Sequence, residues 1–265
     1  MSSCLLRAPG TRRGDIRAGQ RVDFPECLQV DAAVELRGVT DFDLSWYLLV
    51  SMNRLLAVLV VVVVSACSPP ETVVDGLGDG APKLRVVNRK ATRIPDRNDG
   101  VRLSGASRNG VAWVEGSDFR SGTIEVDIRG QESLGQTYVG VAFHRKSDDS
   151  YEAVYLRPFN FRAADPARRQ HALQYISLPA FDFQRLRDDF PEQFENPVDA
   201  SLEPTGWVRF RVAVDAYKLQ IFVGAVAQPT LEVRKLGELD GGQVGLWVGN
   251  DSGGDFANLV ITPTK

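Results

Sequence analysis

Short apolar runs of period two, broken by turn residues, constrain this 265-residue chain more than any other feature. Residues 122–129, GTIEVDIR, alternate Ile124, Val126 and Ile128 against Thr123, Glu125 and Asp127. Residues 207–214 alternate Val208, Phe210, Val212 and Val214 against Trp207, Arg209 and Arg211. Successive strand side chains point to opposite faces, so such runs read as half-buried strands. Further runs at 111–114, 138–144, 151–157, 171–177, 218–223, 230–235, 244–248 and 256–262 bring the total to about ten. The 24 Gly and 14 Pro are spread along the chain, as many short strands and turns require. Residues 183–194 are the exception. Phe183, Leu186 and Phe190 recur at helical spacing after Asp182, an N-cap residue type, and the pattern stops before Pro197. The expected fold is all-β, a two-sheet antiparallel jelly-roll sandwich with one short helical insertion.

Residues 52–67 describe an address. Met52-Asn53-Arg54 is a short basic start, residues 55–64 are ten consecutive apolar residues, and Ser65-Ala66-Cys67 ends the run. Ten apolar residues are too few to span roughly 30 Å of hydrocarbon, and together with small residues at their end they form a secretory signal. A Cys directly after the small residues resembles the lipobox of bacterial lipoproteins. That resemblance implies a lipidated Cys67 at the new N-terminus, and Ser68 behind it implies sorting to the outer membrane. The organisation read from the sequence is a spurious or disordered leader at 1–51, the signal at 52–67, a Pro/Gly/Asp-rich tether at 68–82 and the jelly roll at 83–265.

Charge and cysteine narrow the functional classes. A net charge of −3 and the absence of Lys/Arg runs longer than two give no footprint for nucleic acid. Cys4 and Cys27 lie upstream of the cut, so lone Cys67 leaves no intramolecular disulfide and the domain must rest on its core. Two histidines and a lipidated Cys make no zinc site, and no P-loop, dinucleotide fingerprint or Gly-x-Ser-x-Gly occurs. Neither metal nor cofactor is expected. The turn at 250–255, NDSGGD, holds oxygens of the kind Ca²⁺ takes, but its spacing does not fit an EF-hand loop, and a Gly-rich hairpin turn is the alternative.

Residues 83–263 resemble the concanavalin A-like jelly rolls, the group of laminin-G-like, lectin and glucanase domains. The resemblance rests on GTIEVDIRG, on the runs VGVAFH and YEAVYLRPFNFR, and on GQVGLWVGNDSGGDFANLVI, similar to that fold's final strand pair. Within the group the chain is most similar to bacterial 3-keto-disaccharide hydrolase or family 16 glycoside hydrolase-like domains. The family 16 pattern Glu-x-Asp-x-x-Glu starts here as Glu125-x-Asp127, but Gly130 stands in place of the acid/base. Glycoside hydrolysis needs two carboxyls around the scissile bond, so this motif is read as a solvated strand face.

A polar face is the remaining candidate. Val139, Val141, Phe143, Val154 and Leu156 take one strand parity; His144, Tyr155 and Arg157 take the other. By the same reasoning His171, Tyr175, Arg209, Arg211 and Trp247 oppose apolar neighbours, although parity does not place them on one sheet. Aromatic platforms cover sugar ring faces, and Arg, His and Asn bond sugar hydroxyls. The expected carbohydrate-binding residues are His144, Tyr155, Arg157, Asn160, Arg162, His171, Tyr175 and Trp247, with the loop 157–162 at the rim. The alternative is that the aromatics are plain core. Glu152 has core parity, and a buried carboxyl beside His144 makes the two candidates for proton transfer. The sequence thus leaves three readings. They are a carbohydrate-binding lipoprotein, a glycosidase or lyase acting on a modified disaccharide through Glu152 and His144, and a structural envelope protein. Oligomeric state is not legible.

Overall fold

A computed structural model describes residues 72–74, 82–95, 97–131 and 137–264, all within the compact unit 64–265. The leader, the signal segment, Cys67 and most of the tether lie outside the described residues.

Two antiparallel sheets form the domain. The first has eight strands in the order β1 (Thr72–Val74), β2 (Leu84–Val87), β5 (Gly110–Val114), β14 (Gln243–Val248), β7 (Val139–Ser147), β8 (Ser150–Leu156), β9 (Leu173–Ser177) and β10 (Glu195–Asn196). The second has seven, in the order β13 (Leu231–Arg234), β12 (Lys218–Val223), β11 (Val208–Val214), β6 (Gly122–Gly130), β15 (Gly254–Pro263), β4 (Arg97–Leu103) and β3 (Ala91–Ile94). This is a two-sheet antiparallel jelly-roll sandwich, as the period-two runs predict. Three details differ from the sequence reading. Strand β1 lies inside the stretch assigned to the tether and pairs with β2. The runs at 244–248 and 256–262 are not partners, because β14 lies in the first sheet and β15 in the second. A second short helix, α1 (Pro166–Gln170), was not read from the sequence, although Asp165 caps it by accepting from the Ala167 N–H and Pro166 opens it.

The core lies between the sheets. Ile124, Val126 and Ile128 of β6 face Val141, Val154 and Leu246 of the other sheet's inner rows, and all are buried in one apolar cluster. Burying each such side chain contributes about 1.5–3 kcal/mol, which fixes strand register because a one-residue slip would expose the whole row. The predicted helix is α2 (Phe183–Asp189). Asp182 caps it, its carboxylate accepting from the Arg185 N–H at 2.8 Å, and Leu186 is its buried anchor. Among the described residues no helix is long and apolar enough to cross a membrane.

Candidate functional site, an aromatic groove on the first sheet

Cross-strand register builds the site. Trp247 on β14 pairs with Gly140 on β7, Gly140 with Tyr155 on β8, Tyr155 with Gln174 on β9, and Gln174 with Glu195 on β10. The row runs along the face turned away from the core, since Val141, Val154, Leu246 and Leu156 take the opposite parity. Gly140 is essential to its shape. A Cβ there would lie 2.7 Å from the Tyr155 Cβ and 2.0 Å from the Val154 carbonyl oxygen. Without one, the Trp247 and Tyr155 rings meet across the intervening strand with centroids 4.7 Å apart. The Trp247 indole N–H donates to the Tyr151 hydroxyl at 3.1 Å, satisfying its one polar atom.

Around this floor the chain forms a groove of about 660 Å³. Tyr138, Tyr155, Arg157, Ile176 and Trp247 line its base, Asp182, Phe183 and Arg187 of the α2 segment line one side, and Asn109, Asn250 and Asp251 come from neighbouring turns. The size and the mixture of rings with a few polar groups suit a small-ligand site. Phe183 is 44% exposed, so an apolar ring stands at the lip in contact with water. Its neighbour Arg187 is anchored elsewhere, donating to Glu195 at 3.0 and 3.1 Å.

Arg157 is the polar centre of the base. Nη1 donates to the His171 carbonyl at 2.8 Å, Nη2 donates to the Tyr155 hydroxyl at 2.8 Å, and both approach the Gln174 side-chain oxygen at 3.4 Å. Its guanidinium carbon lies 4.9 Å from the Tyr155 ring centroid and 5.5 Å from that of Tyr138, within cation–π range. Burial raises the Tyr155 hydroxyl pKa above the usual phenol value, although the Arg157 charge acts in the opposite direction.

The structure therefore brings together Tyr155, Arg157 and Trp247 and separates the other expected residues. His144 is at a β-bulge. The β7–β8 register shifts between Phe143 and Ser147, and His144 adopts φ 54°. The bulge breaks the two-residue alternation that placed His144 on the outer face. Its ring instead packs against Phe143 and Phe119, fully buried, with Nε2 2.8 Å from the Arg120 carbonyl and Nδ1 3.5 Å from Glu152 Oε2. Burial raises the Glu152 carboxyl pKa and the His144 contact works against that rise. Neither residue lines the groove. Tyr175 pairs with Val154 on the core side, and its hydroxyl accepts from the Leu236 N–H at 2.9 Å. Burial, reinforced by the nearby Glu152 charge, pushes its pKa well above the ordinary phenol value.

The loop residues also spread apart. His171 caps the end of α1 with Nδ1 2.7 Å from Glu195 Oε2. Asn160 is buried in the 3-10 turn Pro158–Asn160, where its oxygen accepts from Arg168 Nε at 3.4 Å. Arg162 donates to Glu203 at 2.9 Å and to the carbonyls of Ala200 and Ser201. None of the three lines the groove. Arg209 and Arg211 belong to the other sheet. Glu125 and Asp127 form the charged strand face that the sequence indicates, with Arg209 donating to both carboxylates. At the 250–255 turn, Asp255 is held by Arg102 and Arg129. Among the described residues no cluster of three or more His, Cys, Asp or Glu is arranged to hold a metal.

Sequence reading missed Tyr138, Phe183 and Arg187. A signal existed for two of them. Phe183 and Arg187 are four apart and so share one face of α2, as the 3.6-residue period dictates.

No family model matches the chain, and no curated protein matches it. Solved structures resemble it in fold at low identity. A carbohydrate-binding module, CBM66 from Bacillus subtilis, is 12% identical, with a TM-score of 0.48 over 70% of this chain and 98% of that one. A Bacillus licheniformis β-glucanase is 11% identical, with a TM-score of 0.45 over 73% of this chain and 92% of that one. The exoplasmic/lumenal domain of VIP36, in a form bound to Ca²⁺ and Man3GlcNAc, is 11% identical, with a TM-score of 0.44 over 67% and 85%.

Proposed function

We propose that this chain is a lipid-anchored protein of the bacterial cell envelope whose sandwich binds carbohydrate in the groove over Trp247 and Tyr155. The observation that carries the binding reading is the composition of that groove. Tyr138 and Phe183 offer ring surface above a floor of Trp247 and Tyr155, which are each 3% exposed, and Arg157, Asn109, Asn250 and Asp251 offer polar groups beside them. A pyranose has the matching surface, an apolar ring face bordered by hydroxyls. Glu152 and His144 have no exposed surface, which favours binding over proton transfer through that pair. The open groove likewise argues against a ligand-free structural role.

An array of oligosaccharides probed with the full chain tests the reading. Saturable binding to at least one saccharide is expected, and its absence across the array overturns the proposal. The anchor rests on Ser65-Ala66-Cys67 behind ten apolar residues. Expressed from Met52 in a bacterial host, the protein should partition into detergent, and Cys67→Ala should abolish that. Equal lipid association of the Ala variant would contradict lipidation. The outer membrane is the proposed destination because Ser68, not Asp, follows Cys67.

A further inference from the structure

The polarity of the groove floor specifies the kind of sugar, if the binding reading above is taken as its basis. Arg157 is only 5% exposed, yet every acceptor of its Nη1 and Nη2 groups is a neutral oxygen. No Asp or Glu among the described residues pairs with it. A buried cation without a counter-ion is costly, and structures ordinarily pair it. None of the nearby carboxylates is hydrogen-bonded to it. Glu195 is held by Arg187 and His171. Asp182 and Asp251 accept from neutral groups, the Arg185 N–H and the Asn250 side chain at 2.6 Å, and neither is hydrogen-bonded to Arg157.

The neighbouring hydroxyl has the same bias. Tyr155 accepts from Arg157, so its own O–H remains available to donate. The base of the groove is therefore rich in donors and carries a positive charge with no ion-pair partner, while the acidic side chains Asp182 and Asp251 line its walls. The Tyr138 ring, 5.5 Å from the guanidinium carbon, and Phe183 supply ring surface in the same groove.

We propose that the groove selects an acidic saccharide, whose anionic group lies against Arg157 at the base while its sugar ring lies along Tyr138 and Phe183, the more exposed rings of the groove. The missing counter-ion is supplied by the ligand. A carboxylate and a sulfate share the required chemistry, and neutral sugars lack it.

The test is an array of matched pairs probed with the full chain. It holds uronate oligosaccharides beside their methyl esters and sulfated oligosaccharides beside their desulfated forms. Binding to acidic members at least tenfold tighter than to their neutral partners is expected, and the pair that responds identifies the anion. For the acidic ligand so found, raising NaCl from 50 to 500 mM should weaken binding several-fold. Arg157→Gln should weaken it tenfold or more, with Arg157→Lys recovering part of the loss. Because the salt response is read on the unaltered chain, it stands even if a variant folds poorly. Equal or tighter binding of neutral members overturns the acidic selectivity and leaves carbohydrate binding intact. Failure of every saccharide to bind removes both.

Discussion

The two outer faces of the sandwich carry the same residue types and resolve them in opposite ways. On the second sheet, Trp207 lies beneath two guanidinium groups, those of Arg97 at 4.4 Å and Arg129 at 4.6 Å. Both arginines also find carboxylates, Arg97 on Asp127 and Arg129 on Asp255, and Arg209 bridges Glu125 and Asp127. Every charge named there has an opposite partner, and the half-buried tryptophan is flanked by cations from within the protein. On the first sheet, Trp247 and Tyr155 pack together as the nearly buried floor of an open groove, and the adjacent Arg157 has only neutral acceptors. Tryptophan next to arginine thus makes a closed surface on one side and an open site on the other. The deciding variable is the third partner, a carboxylate in one case and an unfilled space in the other.

Truncating the two tryptophans should break this comparison most visibly. Trp247 is 3% exposed and hydrogen-bonded to Tyr151, so Trp247→Ala should cost about 3–5 kcal/mol of stability. Thermal or denaturant unfolding measures this, and a loss under about 1 kcal/mol would mean the floor is not packed as described. Truncation at Trp207, which is half-buried and held by cation–π contacts, should cost about 1–2 kcal/mol.

Asp255 tests the paired face through pH. Burial alone would raise its carboxyl pKa, but hydrogen bonds from Arg102 and Arg129 more than offset that and hold it below the usual carboxylate range. A depressed folded-state pKa means its stabilisation is complete above the unfolded value near ~3.9 and is lost as pH falls through the folded value. Asp255→Asn should therefore destabilise by about 1–3 kcal/mol at pH 7, and the gap from the parent should narrow below about pH 4. A constant gap across that range would show that the charge is not the source.

A smaller effect is expected at Glu125 and Asp127. Their pairing with Arg209 is partly exposed, and such pairs contribute about 0–1 kcal/mol. The double Ala variant should unfold within roughly 1 kcal/mol of the parent and bind any groove ligand unchanged. A loss of binding would transfer the site to the wrong sheet.

The sandwich was legible because one rule, alternation, holds along most strands. The runs read at 122–129 and 207–214 obey it without interruption and occur as the strands Gly122–Gly130 and Val208–Val214. The site was legible only where that rule survived. Tyr155, Arg157 and Trp247 lie on regular stretches, whereas His144 sits in a bulge where the alternation breaks. A bulge of this kind has no composition signal here, since its left-handed residue is histidine and not glycine. Tyr175 failed for a different reason. A tyrosine on the core side is recognised only through its hydroxyl partner, and that partner, the Leu236 N–H, comes from a distant loop. Gly140 was the informative residue that alternation passes over, because its meaning lies in the two rings that meet above it.

Phe183 offers the most direct measurement of the central claim, that the first sheet's groove binds saccharide. It is the groove ring most open to water, so its loss should not unfold the protein. Isothermal titration of the full chain with an array-positive saccharide should be run on Phe183→Ala and Trp207→Ala in parallel. Phe183→Ala should weaken binding by about 1–3 kcal/mol, in line with aromatic stacking on nucleobases, with stability within about 0.5 kcal/mol of the parent. Trp207→Ala should leave the isotherm unchanged. The reverse pattern, in which Trp207→Ala abolishes binding and Phe183→Ala does not alter it, would place the ligand on the opposite sheet and contradict the account.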